Sequence, residues 1–404
     1  MLHRAADQED AVVWLLGCHL AGTVLVPVSG AHAAWADQVA QRTGARARTM
    51  AGQEVELLAT PSSPSMDPAP PDDLRAIVMT SGSSGSSKGV WIDDRMIDAA
   101  AAVTADVLQL DAGSVVLDLI PAHTVGHLFL AALPALAAGG KMAYARFSPQ
   151  SFADALNAAR PTTTILLPVM FRMLEIAGLP SLRPLTTVAS GASTVPTGMP
   201  AAALRLGITR FVHLFGMTEA LTPIFARATT DPADPAATAL AGPLGDTEAR
   251  LTDDGELLLR GSAVTRGYDA DPAGTTAAMA DGFFRTGDLL DFDGELWRFR
   301  GRRDDRIKVN DLRVSPSVTE AVVASLPGVR ACAVGAVRRR SGGDMLVVLV
   351  QGGETSAAAV RDACRAALDD HQVPKRVVFV DEVPVNAMGK VDRVRAAELL
   401  KALV

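Results

Sequence analysis

Between residues 76 and 215, short apolar runs alternate with helical patterns, and no other feature constrains the fold as much. The first run, Ala76-Ile77-Val78-Met79, is continuous and reads as a buried strand of the parallel type. Further strands are predicted over 114–120, 141–145, 163–167, 183–190 and 210–215. Helices are predicted over 95–110, 127–138 and 148–159, the second stopped by Gly139-Gly140. Such alternation folds as parallel sheet with helices on both faces. From about Gly242 the period becomes two: 248–252, 256–260 and 295–299 alternate apolar with polar residues. Asp253-Asp254-Gly255 and Asp293-Gly294 supply hairpin corners, so a small antiparallel barrel or sheet is expected there. After Arg302 a third pattern predicts helices over 315–325 and 356–368 and strands over 329–337, 345–351 and 376–380, a compact α+β unit. The expected class is α/β: a large N-terminal domain of parallel sheets with covering helices plus a small antiparallel barrel, then a small α+β domain.

Composition removes several functions. With 38 basic against 45 acidic residues the net charge is −7, which gives no attraction to nucleic acid or an anionic membrane. Aromatic residues are only 4% of the chain, too few for a platform that stacks single-stranded bases. Cys18, Cys332 and Cys364 are far apart and form no CxxC pair, so they read as idle thiols of a reducing compartment. The apolar stretch 11–28 is interrupted by Gly17, His19, Gly22 and Pro27, whereas a membrane span wants about 20 uninterrupted apolar residues. It reads instead as a helix over 9–20, a turn at Ala21-Gly22 and a strand over 23–27. Acidic residues precede it, unlike a secretory signal, and a cytoplasmic location is expected. The Pro-, Ser- and Asp-rich stretch 59–73 reads as an exposed loop.

Chemistry is concentrated in a few segments. Directly after the 76–79 run comes Thr80-Ser81-Gly82-Ser83-Ser84-Gly85-Ser86-Ser87-Lys88-Gly89. Small residues let backbone N–H groups turn inward on phosphate oxygens, hydroxyls add donors, and Lys88 adds a mobile positive charge. A Walker A loop needs Gly-Lys-[Ser/Thr], which this segment lacks. The alternative, a flexible Gly/Ser linker, does not normally follow a buried strand or end in Lys-Gly-Val-Trp.

This loop resembles the phosphate loop of the adenylate-forming superfamily: acyl-CoA synthetases, acyl- and aryl-AMP ligases, peptide-synthetase adenylation domains and firefly luciferase. Ser87 replaces the usual proline. Further matches follow in the family's order. Phe215-Gly216-Met217-Thr218-Glu219 resembles Tyr-Gly-x-Thr-Glu. That resemblance implies Phe215 on the adenine, Thr218 at the α-phosphate and Glu219 holding Mg²⁺, which prefers carboxylate, phosphate and water oxygens. Gly255-Glu256-Leu257 with Arg260-Gly261 and Arg266-Gly267-Tyr268 resembles a motif that is mostly structural. Arg285-Thr286-Gly287-Asp288 matches the family's Thr-Gly-Asp, whose aspartate takes both ribose hydroxyls. Gly301 to Pro316 matches the linker motif, which implies Arg302 on ribose and phosphate, Arg313 as the second arginine, and Asp304 as hinge between domains 1–302 and 303–404. Asp311 stands where the family usually has glycine beside the thiol channel. Pro384 to Arg393 resembles the C-terminal motif, which implies Lys390 between the acid's carboxylate and the α-phosphate. His123, in Pro121-Ala122-His123-Thr124-Val125-Gly126-His127, is placed at the acyl pocket, with His127 as the other candidate. Gly191-Ala192, in Ser190-Gly191-Ala192-Ser193, is placed beside adenine and acid, and Met217 beside the acid.

The resemblance runs from Ala21 to Arg393, with a shorter stretch before the phosphate loop than the family usually carries, which implies a trimmed front subdomain and an apolar face for a homodimer. It implies an ATP-dependent ligase that makes an acyl-AMP from a small carboxylic acid, releases pyrophosphate, and passes the acyl group to a thiol, either CoA or carrier-protein phosphopantetheine. Amine or other non-thiol acceptors, and a non-catalytic nucleotide binder of the same fold, are the alternatives. The latter predicts loss of Lys390 or Glu219, and both are present.

Overall fold

The computed structural model describes residues 1–4, 8–28, 39, 43, 45, 47–49, 55–57, 71–80, 88–221, 223–309, 312–339, 343–385 and 391–403. Its centre is a six-stranded sheet in the order Pro223–Thr229, Arg210–Gly216, Thr187–Ser190, Thr163–Ile165, Val115–Asp118, Lys141–Tyr144. All neighbours are parallel except the first pair, which is antiparallel. Successive residues feed opposite faces. Leu117, Val188 and Phe211 pack with Phe152, Phe171 and Met199 on one side. Val116, Ala189 and Val212 pack with Leu108, Ala131 and Ala135 on the other. Burial on both faces is why these strands read as unbroken apolar runs.

The covering helices start where local chemistry tells them to. Asp93 caps Asp94–Leu108 by accepting from the Met96 amide at 2.9 Å. Ser148 caps Pro149–Ala159, with proline at the first helical position. Pro168–Ile176 is a helix that the periodicity did not reveal, and it stops the preceding strand at Ile165. The expected 127–138 helix opens as a π-helix, Gly126–Ala132, before becoming α over Leu133–Ala137.

One expectation is corrected. Leu74–Thr80, read as a parallel strand, runs antiparallel to Lys88–Asp93, with Thr80 opposite Lys88. Among the described residues its one parallel pairing is the isolated bridge between Leu25 and Ala76. Tyr268–Asp269 completes this three-stranded sheet on the outer side of Lys88–Asp93. The segment 81–87 thus joins two antiparallel strands, and it lies outside the described residues.

The expected antiparallel sheet is present with five strands: Glu248–Leu251, Glu256–Arg260, Phe283–Phe292, Met279–Ala280 and Trp297–Arg302. Beyond it, Val329–Arg338 pairs antiparallel with Asp344–Gly352, which pairs parallel with Arg376–Val380. Val334, Val348 and Val350 pack against Val323, Val360 and Cys364 on one face of this sheet. Ala333, Val347 and Leu349 pack against Ala396 and Leu400 on the other. All three cysteines are free and buried, and burial pushes the Cys364 thiol up to about 11, as idle thiols require. Among the described residues no helix is long and apolar enough to cross a membrane.

Candidate active site

The carboxyl end of the Arg210–Gly216 strand carries the first group of candidates. Phe215 lies between Phe225 and Phe299, with ring centroids 5.9 and 5.7 Å away. The ladder shifts register between Phe215 and Gly216, so the chain leaves the sheet there. Met217 is extended and packs against the core, and Thr218–Ala220 then forms a single 3₁₀ turn. The turn is fixed from outside, because the Thr265 amide donates to the Glu219 carbonyl at 2.8 Å.

The Glu219 side chain meets a charged cluster. Its Oε1 accepts from the Tyr268 hydroxyl at 3.1 Å. Burial pushes the Glu219 carboxyl up, while a backbone hydrogen bond, the Tyr268 hydroxyl and the charges of Arg302 and Lys88 pull it back. Burial and the Glu219 charge push the Tyr268 phenol well above its usual value, so it remains the donor. Lys88 Nζ sits 4.5 Å over the Tyr268 ring centroid and 3.9 Å from Asp271 Oδ2. Thr80 Oγ1 donates to the Lys88 carbonyl at 3.4 Å, closing the strands on either side of 81–87.

Asp288 and Arg302 face each other across the Phe283–Phe292 and Trp297–Arg302 pair. Arg302 Nη1 lies 3.2 Å from Asp288 Oδ1, and Nη2 donates to the Thr286 carbonyl at 3.2 Å. Arg302 Nε is buried and has no hydrogen-bond partner among the described residues. Gly287 has a φ of +71°, and a Cβ there would stand 3.3 Å from Arg302 Nη2 and 3.9 Å from Asp304 Oδ2. The exposed Asp304 therefore adjoins the Thr-Gly-Asp turn.

Glu256, expected to be structural, is a buried carboxylate at the centre of this turn, 3% exposed. It accepts from the Gly287 amide at 3.2 Å, pairs with Arg285, and lies 3.2 Å from Arg303. Nothing local marks Glu256, because its partners Arg285, Gly287 and Arg303 are far along the chain.

The two histidines part company. His127 is fully buried, its Nδ1 against the Asp118 carboxylate and its ring 6.2 Å from Tyr144. His123 is half-buried in the turn before the π-helix. Gly191 is required by packing: a Cβ would lie 2.3 Å from the Leu214 carbonyl oxygen. The exposed Ala192 follows with φ +65°.

Other candidates are not brought into this geometry. Ser81, Gly82, Ser83, Ser84, Gly85 and Lys390 lie outside the described residues, as does Asp311. Arg313 is described only as backbone of the Leu312–Val314 strand. Among the described residues no group of three or more His, Cys, Asp or Glu could hold a metal by itself. A single carboxylate such as Glu219, beside Arg302 and Lys88, fits an ion that arrives on a polyphosphate and takes few protein ligands.

Residues 37–269 match the model of the AMP-binding enzyme family, and 319–390 match that of the AMP-binding enzyme C-terminal domain. An indoleacetate–CoA ligase from Aromatoleum aromaticum is 31% identical over 359 residues, covering 82% of this chain and 68% of that protein. A feruloyl-CoA synthase from an Amycolatopsis species is 28% identical over 360 residues, covering 83% and 72%. The amide bond synthetase McbA from Marinactinospora thermotolerans superposes with a TM-score of 0.78 at 24% identity, covering 99% of this chain and 89% of that one. The chain belongs to the AMP-binding enzyme family, the adenylate-forming enzymes.

Proposed function

We propose that this chain is an ATP-dependent ligase that joins a small carboxylic acid to a thiol in two steps at one nucleotide site. In the first step the carboxylate attacks the α-phosphorus of ATP, giving acyl-AMP and pyrophosphate. In the second a thiol, of CoA or of carrier-protein phosphopantetheine, attacks the acyl carbon and AMP leaves. The observation that carries this reading is the convergence of Lys88, Glu219, Arg302 and Asp288 from four separate strands and turns. One carboxylate suits a ribose diol, a second suits a cation, and two positive groups suit phosphate.

The residues divide the work. Asp288 accepts from the ribose hydroxyls and Arg302 holds that carboxylate in place. Phe215 offers a ring face to adenine, and Gly191-Ala192 let the backbone approach the base. Lys88 and the segment Thr80 to Gly85 take the phosphates, with Thr218 at the α-phosphate and Arg313 as a further cation. Mg²⁺ would be held by Glu219, and when bound it neutralises charge on the polyphosphate. His123 and Met217 line the acid. Lys390 neutralises the meeting of an anionic carboxylate with an anionic phosphorus, a contribution of about 3 kcal/mol or more. The chain from 303 to 404 turns about Asp304 between the two steps and takes Lys390 away. Three buried, unpaired thiols support a reducing, cytoplasmic setting.

ATP–pyrophosphate exchange over aryl, short-chain and medium-chain acids tests the first step. The indoleacetate and feruloyl ligase relatives put aryl acids first in that panel. Release of ADP in place of AMP would overturn the reading. Lys390→Ala should abolish exchange and leave thioester formation from supplied acyl-AMP largely intact, while equal loss of both steps would refute the two-orientation scheme. An amine acceptor is a second reading, favoured by Asp311, which stands in the sequence where the family usually has the glycine beside the thiol channel. Amide formation without thioester, in assays offering both acceptors, decides for it.

A further inference from the structure

Tyr268 lies in a segment that the sequence marks as structural, yet it touches two of the candidate site residues. The residue is 5% exposed, and its ring lies 6.5 Å from that of Phe284. Its backbone pairs with Lys88–Asp93, Tyr268 opposite Val90 and Asp269 opposite Gly89. The sheet that carries Lys88 therefore also fixes Tyr268. From this anchor the hydroxyl donates to Glu219 Oε1 at 3.1 Å, and the ring face lies beneath Lys88 Nζ at 4.5 Å.

Both contacts act on side chains whose terminal torsions are intrinsically soft. The terminal torsion of a glutamate is broad, so a donor fixed on Oε1 decides where the carboxylate plane points. A lysine ammonium rides on a flexible four-carbon stem, and an aromatic face gives it one preferred seat. We propose that Tyr268 is a positioning residue of the nucleotide site, which aims Glu219 with its hydroxyl and Lys88 with its ring. This rests on the reading of Glu219 as a magnesium ligand and Lys88 as a phosphate contact. The competing account is a core tyrosine whose hydroxyl merely found an acceptor, in which case its loss changes stability alone.

Three variants of the full chain separate these accounts: Tyr268→Phe, Tyr268→Leu and, as a reference, Glu219→Gln. Two binding constants are read without turnover. One is ATP affinity in EDTA by calorimetry, and the other is Mn²⁺ affinity of the ATP-saturated enzyme by electron paramagnetic resonance. Tyr268→Phe keeps the ring, so it should leave ATP affinity in EDTA unchanged and weaken Mn²⁺ binding by about 10-fold, the usual effect of losing a hydrogen bond to a charged group. Tyr268→Leu should in addition weaken ATP in EDTA by roughly 2- to 5-fold, the range of a partly exposed cation–π contact. Wild-type Mn²⁺ affinity in Tyr268→Phe, with Glu219→Gln impaired, overturns the aiming of Glu219 and leaves the proposed function standing. Wild-type Mn²⁺ affinity in Glu219→Gln overturns the metal assignment itself. Equal ATP affinity in the Phe and Leu variants overturns the seating of Lys88. Tyr268→Phe carries the test alone if Tyr268→Leu fails to fold.

Discussion

Gly191→Ala is a substitution of one methyl group, and the structure sets its consequence. The added Cβ would lie 2.3 Å from the Leu214 carbonyl oxygen and 3.1 Å from the Leu214 carbonyl carbon. A carbon–oxygen contact needs about 3.3 Å, so roughly 1 Å of separation must be found. Neither side can yield cheaply. Both are backbone: Gly191 directly follows Thr187–Ser190, which is joined in parallel register to Arg210–Gly216 inside the sheet. The movement is passed on to Phe215, Met217, Thr218 and Glu219, which follow Leu214 directly. A displacement of about 1 Å at a positioning group typically costs on the order of 10²-fold in rate. We expect acid-dependent ATP–pyrophosphate exchange to fall by roughly that factor, with a lowered melting temperature. The neighbouring Ala192→Gly relieves a φ of +65° and should keep full exchange activity. Unchanged kcat/KM in folded Gly191→Ala would refute the close-approach argument.

Two further outcomes follow from specific contacts. Asp288→Asn keeps shape but loses the charge that accepts from the ribose; with hydrogen bonds to charged groups at about 1.5–3 kcal/mol, the KM for ATP should rise about 10- to 100-fold while the KM for the acid changes little. A rise in both constants alike would argue against a ribose contact. His213, buried beside the Ala239 carbonyl, is pushed down by burial to about 4 from 6.5. The unfolded chain then binds the extra proton between those values, so stability is full above about pH 6.5 and declines by roughly 3 kcal/mol as pH falls to about 4. Urea midpoints across that window should fall less steeply in His213→Gln, and equal slopes would contradict the assignment.

What the sequence disclosed follows the physics of each element. The central strands were legible because burial on two faces leaves no polar residue to break the run, as in Val188-Ala189 and Phe211-Val212. Helices with an explicit cap, such as that after Ser148, were legible at their starts. The 168–176 helix was missed because Leu166-Leu167-Pro168-Val169-Met170-Phe171 continues an apolar strand without a polar break. The Leu74–Thr80 strand looked parallel because it too is covered on both sides, and nothing local says which way its neighbour runs. The site shows the same division. Phe215, Glu219, Asp288 and Arg302 were legible through motifs. The cross-links among them were not, since Tyr268 meets Glu219 and Glu256 meets Gly287 only after strands distant in the sequence have paired.

Glu256 grips the Gly287 amide and lies against Arg303 at once. The turn proposed to seat the ribose and the entry to the last hundred residues are therefore tied by one shared carboxylate, among other contacts. If that tail swivels beyond residue 303, as proposed, this tie should hold the proposed ribose turn in place while the tail moves.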